Sequence, residues 1–172
     1  MNDMSRNHHS VFIMNFSGLP FGEQLFLWGI RFWVQAHTRC VNYQDMLKNG
    51  FLLAGVPKAH GLLDSMMTLF TTAGNGTMDI RCPQCGDISA DEHRILGAVA
   101  AFQKSTDERV IDSYIECWMS EAGLRFLPPV VCDLANQFKT NRLMLRPRPW
   151  AISLPIVYSN EEIKDQEPFI LH

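Results

Sequence analysis

Two cysteines at C-x-x-C spacing, Cys82 and Cys85, stand in the run M-D-I-R-C-P-Q-C-G-D. Pro83 and Gly86 favour a turn there, and such a turn supplies two sulfurs to one point. Three chemistries fit. The pair reads first as half of a structural zinc site, because zinc takes four ligands, commonly Cys thiolate and His nitrogen. It reads second as a turn without metal. It reads third as a redox dithiol, which needs a thiolate of lowered pKa near a cation or a helix start. Arg81 is adjacent, but the alternation of strands and helices that surrounds thioredoxin-like pairs is missing.

Zinc requires a second pair of ligands, and the chain has no second C-x-x-C. His37 and Cys40, spaced H-x-x-C on a helical stretch, share one face and are the first choice. His60, His93, Cys117 and Cys132 are the remaining candidates. The plainer reading of His37 continues the stripe of Ile30 and Trp33 as a hydrogen-bonded residue. Free cysteines among apolar neighbours are commonly buried as small hydrophobes.

A second chemistry is nucleic-acid contact. Residues 52–60, L-L-A-G-V-P-K-A-H, resemble the turn of a helix-turn-helix, with Lys58 and His60 opening a helix that would face the major groove. Gly61 sits where that motif packs an apolar residue, and one acid among few cations suits phosphate poorly. Arg142, Arg146 and Arg148, beside Trp150, form an extended basic stretch able to contact phosphates and stack a base. An ordinary helical hairpin and a solvated segment account for the same residues.

The elements that must position these groups are mostly helices. From Glu23 to Arg39, Leu25, Trp28, Phe32 and Ala36 follow helical spacing beside Phe26, Ile30 and Trp33. Glu23, Gln24, Arg31, Gln35 and Arg39 form a narrow polar face. Asn42 caps a short helix that ends before Gly55, and Pro57 opens the next, which stops at Gly74-Asn75-Gly76. Residues 77–81 are the one extended segment. Ser89 and Glu92 have capping-box form, and residues 105–108 repeat it. The period then continues through Trp118 to Gly123, and Pro128-Pro129 starts the last helix. Trp28, Phe32, Leu63, Met67, Leu96, Val99, Ile115 and Trp118 are the expected core.

The expected fold is therefore all-α: a single compact domain of about six helices over residues 18–140. An arm of residues 1–17 precedes it. A basic segment and chain-like tail, residues 141–172, follow.

At 172 residues and 19.6 kDa, with 47% apolar and 19% charged residues, the chain can bury a sizeable core. A net charge of −3 gives no general attraction to nucleic acid or acidic membranes. No apolar run reaches the roughly 18–20 residues of a membrane span, and the N-terminus lacks the order of a secretory signal. Location is therefore expected to be cytoplasmic. Signatures of phosphate-cradling loops, nucleophile elbows and zinc proteases are absent from the sequence. The chain reads as a binding or regulatory protein rather than an enzyme, with a protein partner and with homodimerisation open to it. A DNA-binding regulator is the alternative and a thiol-dependent redox protein the third.

Overall fold

The computed structural model of the protein describes residues 15–105, 107–156 and 169–171. It is mostly helical, with six α-helices among the described residues: α1 (Phe21–Arg39), α2 (Gln44–Leu53), α3 (Ala59–Ala73), α4 (Ala90–Gln103), α5 (Glu108–Ile115) and α6 (Glu121–Thr140). Two short strands, β1 (Met78–Ile80) and β2 (Phe169–Leu171), pair antiparallel, with Met78 opposite Leu171 and Ile80 opposite Phe169. The all-α expectation holds. The chain-like tail does not hold throughout, since residues 169–171 supply the backbone partner that an isolated three-residue strand requires. The expected arm, residues 1–17, lies mostly outside the described residues.

α4 is buried on nearly all sides, with Ile95, Leu96, Ala98 and Val99 in the core and Gly97 facing the ring of Tyr114. A Cβ at Gly97 would stand 2.5 Å from that ring, so glycine permits the close approach of α5. α3 and α6 make the broadest helix-to-helix contact and close the core with Leu63, Met67, Leu134 and Phe138. Of the expected core, Leu63, Met67, Leu96, Val99, Ile115 and Trp118 are buried. Trp28 and Phe32 are only half-buried, their rings tilted against each other at 5.5 Å near Phe51 and Tyr43.

The capping box at Ser89 forms in full: the Glu92 amide donates to Ser89 Oγ and the Ser89 amide to Glu92 Oε2, both at 3.0 Å. The second box does not form as expected. Asp107 caps α5 instead, accepting the Arg109 amide at 2.9 Å. Nor do the prolines start the last helix. Ser120 caps it by accepting the Gly123 amide, and Pro128-Pro129 lie inside α6. The rings remove the donors for the carbonyls four residues earlier, a cost of about 3 kcal/mol for an interior proline. Burial of Leu127, Val131, Leu134, Ala135 and Phe138 along the same helix offsets it.

The larger departure is downstream of Thr140. Residues 143–153, expected as the start of a solvated tail, form a strap across the domain that buries Leu145 and Ala151. Gln103 receives the Leu145 amide at 2.8 Å and donates to the Leu143 carbonyl at 3.0 Å. Tyr114 donates to the Arg148 carbonyl at 3.0 Å. The strap carries no local sequence signature, because buried polar groups, not an apolar period, hold it.

Candidate functional site

Four consecutive polar residues at the start of α4, Asp91-Glu92-His93-Arg94, are all buried. Their partners define the interior chemistry of the protein. Glu92 meets Arg31 of α1 in a two-point pair, Nε to Oε1 at 2.7 Å and Nη2 to Oε2 at 2.8 Å. Arg31 spends its remaining donors on the cysteine loop: Nη1 on the Cys85 carbonyl at 2.7 Å and the Cys82 carbonyl at 3.4 Å, Nη2 on the Asp87 carbonyl at 2.8 Å. All five guanidinium N–H groups are thus used, which a lysine could not reproduce. Burial pushes the Glu92 carboxyl above its ordinary range, with Arg31 and the Ser89 and Arg81 amides pulling it back.

Cys82 and Cys85 are joined by a disulfide, and the Cys85 amide closes the turn on the Cys82 carbonyl at 3.0 Å. Both are half-buried. The next residue, Gly86, accepts the Phe16 amide at 2.7 Å, and the Phe16 ring lies 4.9 Å from the Arg31 guanidinium carbon. Phe16 also lines a groove of about 370 Å³ between the start of α1 and the end of α2. Trp28 and Leu25 line the groove with it, and Gly50 lets Trp28 lie flat, since a Cβ there would fall 2.4 Å from the indole. Phe21 and Leu53 line it from its rim, 60% and 88% exposed, and Leu52 beside them is 56% exposed. Among the described residues no charged side chain lines it.

The second proposed ligand pair lies apart from this loop. His37 is exposed at the end of α1, its ring stacked on Trp33 at 3.6 Å and its Nδ1 on the Trp33 carbonyl at 2.9 Å. Cys40 is exposed in the left-handed residue that ends the helix. Among the described residues no three His, Cys, Asp or Glu side chains gather as a metal-holding group. In the disulfide form the two loop sulfurs are not thiolates, the species that zinc requires.

The proposed nucleic-acid residues are scattered. Lys58 is exposed at the start of α3 beside Asp133 and Asn136, and His60 is held by Gln44 at 2.8 Å. The outward face of α3 carries Gly61, Ser65 and Thr68 and no further cation. Arg142 is exposed. The reading of Arg146 and Arg148 as a basic strip needs correction. Arg148 is 1% exposed and grips Glu23 at 2.7 and 3.0 Å, and Arg146 shares the same carboxylate through its side chain and its amide. Flanking prolines fix the backbone that carries Arg148 inward, so it offers phosphate nothing. Burial alone would raise the Glu23 carboxyl, but the Arg148 and Arg146 hydrogen bonds outweigh it and hold it below the ordinary range.

His93 lies near Arg148 and Glu23, edge-on to Trp150 at 4.9 Å, its Nδ1 buried without a partner among the described residues. Burial, reinforced by Arg148 and opposed by Glu23, lowers its pKa to about 4. The sign follows. Above pH 6.5 both the folded and unfolded forms are neutral; between 6.5 and 4 the unfolded chain takes up a proton that the folded one refuses. Stability is therefore expected to fall by about 3 kcal/mol across that window. The buried Asp91 and Glu92 carboxyls are shifted upward and contribute with the opposite sign as pH falls. The His93 part is isolated as the difference between wild type and His93→Leu in chemical denaturation from pH 7 to 4. Parallel curves would show that His93 does not titrate in this way.

The helical period puts Arg31 and Glu23 on the narrow polar face of α1 and gives neither a partner. A signal for their burial is present: both fall on a helix whose other residues are apolar around most of its circumference. The groove left no signal, because exposed and buried leucines read alike.

The chain matches no family model, no curated protein and no solved structure. No helix among the described residues is long and apolar enough to cross a membrane.

Proposed function

We propose that this is a binding domain that takes the apolar face of a partner helix into the groove between α1 and α2. The observation that carries the reading is Leu53, 88% exposed at the lip of an uncharged groove that Phe21 also lines. Large apolar side chains clustered at a cleft mark interaction surfaces, whereas single ones need no explanation. The volume of about 370 Å³ falls at the small end of ligand pockets, which span roughly 300–1,000 Å³. An uncharged lining favours aliphatic and aromatic side chains, presented at i, i+3 and i+4 by an amphipathic helix. DNA contact is disfavoured by the neutral outward face of α3 and by the inward Arg148.

The test uses the dye 1-anilinonaphthalene-8-sulfonate as a probe of the groove. Leu53→Asp is expected to weaken dye binding at least fivefold. The same change should leave stability within about 0.5 kcal/mol, as is usual for an exposed site. Undiminished dye binding would remove the groove from consideration. A concentration-dependent dimer abolished by Leu53→Asp would put a second copy of this chain in the groove instead of a different protein.

A further inference from the structure

The cysteine loop and the groove share a wall. Phe16 lines the groove, its ring lies over the Arg31 guanidinium, and its amide donates to Gly86, the residue after Cys85. The same guanidinium holds the Cys82, Cys85 and Asp87 carbonyls. The disulfide closes only a three-residue separation. A loop that short removes little entropy from the unfolded chain, so the bond contributes to local geometry more than to global stability.

We propose that Cys82 and Cys85 form a redox-controlled latch on the groove, an inference that rests on the groove being the binding site. In the disulfide form the loop is fixed, Gly86 holds the Phe16 amide, and the groove keeps its wall. A dithiol reductant opens the latch. One of its thiolates attacks a loop sulfur and forms a mixed disulfide; its second thiolate then displaces the loop thiolate and leaves as the reductant's own cyclic disulfide. Two electrons pass to the loop sulfurs and two protons follow them, leaving two thiols. Neither Cys82 nor Cys85 is buried, so a small reductant can approach the loop. With the S–S bond broken, Cys85 and Gly86 gain freedom, the Phe16 hydrogen bond weakens, and the groove loses affinity for apolar side chains.

The experiment compares the full chain purified without reductant and the same protein treated with dithiothreitol. Alkylation under denaturing conditions is expected to label three of the five cysteines before reduction and all five after it. The Phe16 amide is expected to exchange with solvent deuterium at least tenfold faster after reduction. Dye binding should weaken at least threefold. The double variant Cys82→Ser/Cys85→Ser should match the reduced protein and ignore dithiothreitol; the wild-type comparison stands alone if that variant fails to fold. Unchanged Phe16 exchange once all five thiols are free would overturn the latch, because Arg31 would then hold the loop unaided. Five labelled cysteines in the untreated protein, with zinc released on labelling, would overturn it in favour of a metal site. Failure of the groove itself is read separately, from Leu53→Asp leaving dye binding intact, since Phe16 exchange does not depend on the dye.

Discussion

Arg31→Ala is expected to lower the unfolding free energy by about 3–5 kcal/mol, the range for removing one partner of a buried ion pair. The change leaves the Glu92 carboxylate in the core without its two-point partner, and three loop carbonyls lose the donors they now share. Against a typical total stability of about 5–15 kcal/mol, that is a large fraction. Arg31→Lys should recover little, because a single ammonium cannot address Glu92 and the loop together. Urea denaturation at pH 7 checks both variants, and a loss below about 1 kcal/mol for the alanine form would mean that water reaches the pair. The loop gives a second readout: with its clamp removed, the Cys82–Cys85 bond should be reduced faster by dithiothreitol than in wild type.

Glu23→Ala is expected to cost a similar amount, about 3–5 kcal/mol, for the complementary reason. It strands Arg148, which is 1% exposed, and frees Arg146 and its amide. The double variant Glu23→Leu/Arg148→Met should be markedly more stable than Glu23→Ala, since replacing both members of a buried pair by apolar groups removes the uncompensated charge. The coupling from a double-mutant cycle measures the pair itself. Loss of Glu23 should also release the strap, so exchange protection at the Arg146 amide should fall more than at Leu96 in α4. Uniform loss across both sites would indicate that the strap unfolds only with the whole domain.

The two arginine clamps explain why the interior tolerates so many charges. Each joins elements far apart in sequence: Arg31 to the start of α4, and Arg148 to the first turn of α1. Such pairs add little net stability compared with well-packed apolar residues, yet they penalise any arrangement that leaves a member unpaired. In this protein that penalty fixes the cysteine loop on one side and the strap on the other. At the α1–α2 junction, Phe21 and Leu53 meet solvent at the rim of the groove.

The sequence by itself determined the helices whose signals are local. The Ser89–Glu92 box, Gly55 after α2, Pro57 before α3 and the 3.6-residue spacing of Leu63, Met67 and Phe70 act within one or two turns. They can be read without knowing the fold. It also marked residues 77–81 as extended and Cys82 and Cys85 as the chemical focus. Only the tertiary structure decided the rest. Whether Glu23 and Arg31 face water or each find a partner depends on residues 125 and 61 positions away, respectively, and no local period encodes that choice. The strap read as a tail because its anchors are Gln103, Tyr114 and Glu23 on other elements. Pro128-Pro129 opened a helix in the local reading, but burial of Leu127 and Val131 against the core outweighed the proline preference. The same holds for Phe16, whose place over Arg31 and against Gly86 exists only once α1 and the cysteine loop have been brought together.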